Sequence, residues 1–222
     1  MSLVIKSNKQ VDEEALRNAI KKAVESSKKR RFRQSVDLIV AISGLDLKKP
    51  ENRIRASIKL PFGPSKPRKV AMFADGITAE KAIEAGVDKV ITEKELLEMA
   101  GQRREIKKLA NSFDFFLAEP RMMANVGRVM GFALGPRGKI PQIVPPNTDI
   151  RRFVEDLRKS VLVNVRNNPM VSVSIGHEEM SIDELVENAK TVLTTLSNKL
   201  PEKAYIDKVY VKTTMGPSVR VV

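Results

Sequence analysis

Apolar positions along this chain change their spacing several times, and each change predicts an element. After Asp12, a candidate N-cap, Ala15, Leu16, Ala19, Ile20, Ala23 and Val24 recur at helical spacing, so a helix is predicted that ends near Lys28. Residues 36–42 form an apolar, β-branched run that reads as a buried strand. From Arg53 to Leu60 the alternation is strict: Ile54, Ala56, Ile58 and Leu60 fall on one face, Arg53, Arg55, Ser57 and Lys59 on the other. Pro61–Pro67 then packs three prolines and a glycine into seven residues, the composition of a stiff linker and not of a folded element.

Beyond that segment strands alternate with helices. Strands are predicted over 69–74, 87–91 and 113–118, separated by a helix over 78–85 that Gly86 stops and by a helix from Thr92 through Leu109. Thr92 and Glu95 have the spacing of a capping box. A Met-bearing helix follows to about Leu134, and Pro145-Pro146-Asn147-Thr148 precedes a helix that turns Ile150, Phe153, Val154 and Leu157 inward. This order predicts parallel βαβ units with right-handed crossovers.

The last third returns to the first style. Val161, Val163 and Val165 alternate, Asn167-Asn168-Pro169 turns, and Val171, Val173 and Ile175 alternate again, which reads as a hairpin. Ser181 and Glu184 form a second capping box ahead of a helix striped by Ile182, Leu185, Val186, Ala189, Val192, Leu193 and Leu196; Pro201 ends it, and 206–213 is the final strand. Each outer piece has about two strands and one helix, too little for a core of its own. The two ends are therefore expected to share one discontinuous α+β sandwich domain, residues 1–66 and 159–222. Residues 67–158 are then an inserted Rossmann-like α/β domain, with the two chain crossings as a hinge. A linear three-domain chain is the alternative. No internal repeat or low-complexity tract is visible.

Charge narrows the function. The 222 residues carry 40 Lys and Arg against 27 Asp and Glu, a formal net charge of +13 and a pI near 10. Such a balance calls for a polyanionic partner, because cations on a polyanion release condensed counterions. Anionic membrane is the competing polyanion, but no apolar run approaches the roughly 20 residues of a bilayer span. Met1–Lys6 lacks the h-region and cleavage site of a signal peptide. The absence of cysteine excludes disulfides and thiolate zinc sites and fits a cytoplasmic location. Aromatics at 5% and no tryptophan argue against a binder that stacks many bases.

Chemistry concentrates in few places. Thr213-Thr214-Met215-Gly216-Pro217-Ser218 is a polar corner between β-prone runs. Its hydroxyls and glycine amide can donate to phosphate or ribose oxygens, Gly216 permits a close backbone approach, and Met215 offers an apolar face to a sugar or base. The plain alternative is a strand ending at a Gly-Pro turn. Lys28-Lys29-Arg30-Arg31-Phe32-Arg33 is the densest basic run. Its plain reading is a solvated helix C-terminus; its functional reading sets Phe32 among arginines to stack on a base or ribose. Phe32 could equally plug the core beneath the next strand. Arg53, Arg55 and Lys59 share a strand face, either solvated or a phosphate track.

Other motifs carry less. Gly135-Pro136-Arg137-Gly138-Lys139 fails the Walker pattern, since Ala133 stands five before Gly138 and Ile140 where Ser or Thr would bind magnesium. Gly127, Gly131 and Gly135, spaced by four, read as close helix packing, and Met122, Met123 and Met130 as packing positions. His177, the lone histidine, cannot build a zinc site. No catalytic residues, cofactor or metal are expected.

Three stretches together carry a resemblance: the terminal Thr213–Arg220, Leu134-Gly135-Pro136-Arg137-Gly138-Lys139-Ile140-Pro141, and Leu60-Pro61-Phe62-Gly63. They resemble the ribosomal protein L-one family of the large subunit, in its archaeal form, in the right order across essentially the whole chain. The resemblance implies two α/β domains joined by a hinge, and no enzyme. It also implies binding to the mobile stalk of large-subunit rRNA beside the tRNA exit site, help in releasing deacylated tRNA, and repression of the protein's own mRNA through an rRNA-like site. The main RNA contact then maps onto Thr213, Thr214, Met215, Gly216 and Pro217, with Phe32 as the matching aromatic; on the charge of the basic run itself, Arg30 and Arg31 are expected to meet phosphates. Arg55 falls at a basic family position; Lys208 stands where some relatives carry serine. Partners implied are the rRNA stalk, the protein's own mRNA and the exit-site tRNA, with no membrane, for a cytoplasmic protein that is monomeric when free. The competing functions are a nucleotide-dependent α/β enzyme centred on the middle domain, and an RNA- or DNA-binding regulator acting off the ribosome.

Overall fold

The computed structural model describes residues 12–145, 148–166 and 168–222. Expectations for Met1–Lys6, Pro146, Asn147 and Asn167 concern positions outside these. In chain order the elements are α1 (Glu13–Glu25), β1 (Ser35–Ser43), β2 (Ile54–Lys59), β3 (Val70–Phe73), α2 (Gly76–Glu84), β4 (Lys89–Ile91), α3 (Glu93–Glu98), α4 (Arg103–Ser112), β5 (Phe115–Ala118), α5 (Met123–Leu134), β6 (Gln142–Ile143), α6 (Ile150–Arg158), β7 (Ser160–Val165), β8 (Met170–His177), α7 (Ile182–Lys199), β9 (Tyr205–Thr213) and β10 (Val219–Arg220). The chain divides into two compact units. Unit 1 joins the residues up to Lys66 to Lys159–Val222, and unit 2 is Pro67–Arg158. Unit 1 holds 24 Lys and Arg against 14 Asp and Glu, and unit 2 holds 16 against 13, so the excess positive charge sits mostly in unit 1.

Unit 1 is built on an antiparallel sheet of order β10-β9-β1-β8, drawn from both ends of the chain, with β2 and β7 in a separate antiparallel ladder. The apolar run in β1 predicts burial throughout. The strand is buried on one face only, where Val36, Leu38, Val40 and Ile42 meet α1 and α7 residues such as Leu16, Ile20, Val192 and Leu193. Each such aliphatic side chain contributes roughly 1.5–3 kcal/mol by leaving water. β2 alternates as its sequence predicts, with Ile54, Ala56 and Ile58 inward. The capping box at Ser181 and Glu184 forms in full. α1 ends at Glu25, short of Lys28, where the Ser26 hydroxyl donates to the Lys22 carbonyl at 2.6 Å; Asp12 occupies the N-cap position without a side-chain cap.

Three further expectations about unit 1 need correction. β7 and β8 do not ladder with each other among the described residues: β7 pairs with β2 and β8 with β1, in different sheets. Each valine stripe finds a longer-range partner that local alternation cannot reveal. The 61–67 segment has no helix or strand, as expected, but it is not a free linker. Phe62 N–H donates to Asn188 Oδ1 (3.1 Å), Asn188 Nδ2 donates to Gly63 O (3.1 Å), and Ser35 Oγ donates to Ser65 Oγ (2.9 Å). Asn188 is fully buried and also donates to Ile175 O, so α7 fastens this segment to unit 1. A short β10 beside β9 also extends the sheet past the strand predicted to be final.

Unit 2 has a parallel sheet of order β4-β3-β5-β6, its core formed by Phe73, Ile91, Leu96, Ile106, Phe116, Met122 and Met130 among others. The helix expected from Thr92 through Leu109 is two helices. Gly101, at φ +87°, sits in the left-handed region that a continuing helix cannot contain, and α4 restarts at Arg103. Thr92 does cap α3, accepting from Glu95 N–H at 3.3 Å. Close packing over Gly127 and Gly131 is also contradicted: no atom outside the helix backbone lies within 4 Å of where their Cβ atoms would be. β6, only two residues long, has no periodicity by which to be recognised.

Candidate nucleic-acid interface

The terminal corner begins where β9 runs out. Thr213 is the last rung of the β1–β9 ladder, opposite Val36. Its inward parity buries it completely, and its hydroxyl lies 2.9 Å from Ser27 Oγ. The Thr213 side chain is thus a support for the corner and is not presented to solvent. Thr214, on the outward parity, is exposed. Its N–H donates to Ser35 O (3.0 Å) and its Oγ1 accepts from Ser35 N–H (3.1 Å). Gly216 N–H closes the turn onto Thr213 O. A Cβ on Gly216 would overlap Thr213 Oγ1, so the close approach that glycine allows here is made to the corner's own hydroxyl. Met215 is fixed by its N–H, which donates to Gln34 Oε1 (3.1 Å), while its side chain is 60% exposed. Pro217 is exposed beside it.

The basic run meets the corner through Gln34. Gln34 is fully buried, and its Nε2 donates to Ser27 Oγ, Glu178 Oε2 and Lys28 O within 2.8–3.1 Å. Phe32 is 51% exposed, which settles the choice left by the sequence: it does not plug the core. Arg30 and Arg31 are exposed, and among the described residues no ion pair holds either. Arg33 is engaged, donating to Ser65 O and lying 3.9 Å from Glu179.

Two candidate residues lie elsewhere. Lys208 is exposed on β9 opposite Ala41, about 20 Å along the ladder from Thr214. It shares the outward parity of Tyr210, Lys212 and Thr214, so one sheet face links it to the corner. Arg55, on β2, borders a cleft with Lys199, Leu200 and Pro201 at the C-terminal end of α7, while the corner is tied to Glu178 just before its N-terminal end. An 18-residue helix is about 27 Å long, so Arg55 is remote from the corner. Desolvation draws the Arg55 pKa down. Sequence reasoning passed over Ser27, Gln34 and Glu178. A signal was there: Gln34 continues the inward parity of Val36, Leu38 and Val40, and a polar group at such a position needs partners.

A family model described as the ribosomal protein L1p/L10e family matches residues 20–217. The chain belongs to this family. The resemblance read from the three motifs is therefore borne out, and the L1p/L10e chain is a non-enzymatic ribosomal protein, which sets aside the nucleotide-dependent enzyme. It is 47% identical to the large ribosomal subunit protein uL1 of Pyrobaculum aerophilum over 95% of both chains. It is 47% identical to that of Archaeoglobus fulgidus over 96% of this chain and 99% of the relative. The protein of the same name from Pyrococcus abyssi is 44% identical over 95% and 96%. Among the described residues no helix is long and apolar enough to cross a membrane.

Proposed function

We propose that this protein is a constituent of the large ribosomal subunit and binds the rRNA stalk beside the tRNA exit site. Named relatives of the large subunit and the excess positive charge of unit 1 support the setting. The observation that carries the site is the corner itself. Part-buried hydrogen bonds of the Thr213 hydroxyl and the Met215 N–H hold it from behind while Met215 and Pro217 stay in solvent, next to a half-exposed Phe32 and the two exposed arginines Arg30 and Arg31. A rigid surface with apolar tips and donor groups suits reading of RNA shape and 2′-OH groups, and the cations supply attraction that ignores sequence. Thr214, Met215, Gly216, Pro217 and Phe32 form the contact. Thr213 supports it from behind. Arg30, Arg31 and Lys208 meet phosphates, and Arg55 lies outside the main footprint.

On this reading unit 1 is a discontinuous α+β sandwich and unit 2 an inserted Rossmann-like domain, joined through a hinge at 66/67 and 158/159. The hinge lets unit 2 move with the stalk as deacylated tRNA leaves. The same corner binds an rRNA-like site in the protein's own mRNA and represses its translation. The free protein is monomeric and works on cytoplasmic ribosomes.

The test is affinity for an rRNA stalk fragment at several salt concentrations. Met215→Ala and Thr214→Ala each weaken binding by about 1–3 kcal/mol at fixed salt. Neutralising Arg30 and Arg31 lowers the slope of log K against log salt by about 0.9 for each phosphate that goes unneutralised. Wild-type behaviour in both classes of variant would place the RNA surface elsewhere. Equal affinity for duplex DNA at the same salt would favour a general nucleic-acid regulator.

A further inference from the structure

We propose that Gln34 is the positioning residue of this interface: its carboxamide sets the relation between the Met215 corner and the Phe32-bearing run without touching RNA. The proposal rests on the reading of the corner as the RNA contact.

A buried carboxamide is costly unless each of its polar atoms finds a partner. At Gln34 they all do, and the partners come from three separate parts of the chain, two of them more than a hundred residues away. Oε1 accepts from the Met215 N–H; Nε2 shares its two hydrogens among Ser27 Oγ, Lys28 O and Glu178 Oε2. The backbone joins in, with Gln34 N–H donating to Glu178 Oε1 (3.0 Å) and Glu178 N–H to Gln34 O (3.0 Å). Both oxygens of the Glu178 carboxylate are thereby engaged by one residue. Ser27 Oγ, in contact with Gln34, also meets Thr213 Oγ1, so a line of side chains runs from Glu178 through Gln34 and Ser27 to Thr213 behind the corner.

The position explains the need. The β1–β9 ladder holds the chain as far as Thr213, and Thr214 is held by Ser35. Past that point the backbone leaves the sheet, and the Met215 N–H turns inward to Gln34. The basic run likewise leaves α1 after Glu25 and re-enters regular structure only at Ser35, with the Lys28 carbonyl tied to Gln34 between them. One side chain therefore fixes two irregular segments that must face RNA together. Holding them in the bound geometry beforehand lowers the ordering cost of binding, a gain read mainly in the dissociation rate.

The experiment measures affinity of the full chain for the rRNA stalk fragment, with melting curves for each variant. Gln34→Met keeps the volume and removes every hydrogen bond of the carboxamide. It raises Kd about tenfold, chiefly through faster dissociation, and leaves the salt slope unchanged because every cation that meets a phosphate is still present. On a Met215→Ala background the same change adds less than about twofold, since a residue acting through the corner loses its effect once the corner tip is gone. Gln34→Glu keeps an acceptor for Met215 but sets a second carboxylate against Glu178. Its binding is weak at neutral pH and recovers as pH falls and the pair takes up a proton. The wild type over the same range controls for the neighbouring His177, Glu178, Glu179, Lys28 and Arg33.

If Met215→Ala weakens binding but Gln34→Met leaves Kd within twofold, the positioning role is overturned and the corner reading survives. Independent, additive effects of the two changes overturn it as well. If neither variant matters, the corner reading itself falls. Should Gln34→Met melt below the assay temperature, the Gln34→Glu profile decides, and a profile parallel to the wild type overturns the proposal.

Discussion

Two glycine-bearing loops in this chain look alike in sequence and behave oppositely in structure. Residues 213–218 in unit 1 and 135–139 in unit 2 both combine Gly, Pro and polar or basic side chains. In the second loop the cations turn inward. Lys139 Nζ donates to the carbonyls of Ala110 (2.9 Å) and Phe113 (2.6 Å) at the end of α4, and Arg137 donates to Asn111 Oδ1 and Ala133 O. These charges satisfy helix C-termini, where cations are favoured by both the free carbonyls and the macrodipole. In the first loop the inward groups are neutral, and apolar tips and nearby arginines are left for solvent. Counting basic residues would rank the unit 2 loop as the better phosphate binder; the direction of its donors shows that it is a brace.

The sharpest way to break this contrast is Gly216→Ala. Its Cβ would overlap Thr213 Oγ1, a side chain locked at full burial, and the next atoms within reach belong to Ser27. The corner must therefore shift as a piece. We expect rRNA affinity to fall on the order of a hundredfold, the scale of a central hot spot, with a stability loss of about 1–3 kcal/mol from overpacking. Titration of the stalk fragment together with denaturant unfolding checks both. An alanine variant that binds like wild type would remove the corner from the interface.

The mirror experiment is Lys139→Met. It strips two carbonyls of a charged donor and should destabilise the protein by about 1–3 kcal/mol while changing rRNA affinity less than about twofold. Lys139 also has a pH signature. Burial, the largest cause, draws its pKa below the ordinary lysine value. The unfolded chain then binds this proton more tightly than the folded one. Stability contributed at this site therefore rises with pH between the folded and unfolded pKa values, as the cost of burying the ammonium disappears. Melting curves from neutral to alkaline pH should show that rise in the wild type and lose it in Lys139→Met. An unchanged rise would assign it to another lysine.

This contrast also shows what a sequence exposes to reading. Helices α1, α6 and α7 and the inward parity of β2 are legible because burial repeats locally, every 3.6 or 2 residues, whereas the continuous apolar run of β1 hides its one-sided burial. The separation of β7 from β8 is not legible either, since each strand's partner lies more than a hundred residues away in sequence. Gly101 marks the break between α3 and α4, but apolar spacing continues across it and predicts one helix. At the site, the corner and Phe32 were visible as residue types. Their supports were not, because Ser27, Gln34 and Glu178 become a cluster only after folding. The inward aim of Arg137 and Lys139 is likewise a tertiary fact.

The smallest expected effect separates the two outlying cations. Lys208 shares the outward face of β9 with Thr214, so RNA seated on the corner can extend along the sheet to reach it. Arg55 lies at the other end of α7, beside Lys199 and Pro201. Lys208→Ala should lower the slope of log K against log salt by about 0.9 and raise Kd only a few-fold, since one exposed phosphate contact is weak at physiological salt. Arg55→Ala should leave the slope alone and move Kd less than about twofold. The two variants carry the same charge change, so long-range attraction to the polyanion is reduced equally and only the local contact differs. If Arg55→Ala flattens the salt dependence as much as Lys208→Ala does, the RNA footprint spans both ends of unit 1 and the corner is one edge of a larger surface. If neither changes the slope, the phosphate contacts are confined to the run from Lys28 to Arg31 and the outward face of β9 is only solvated.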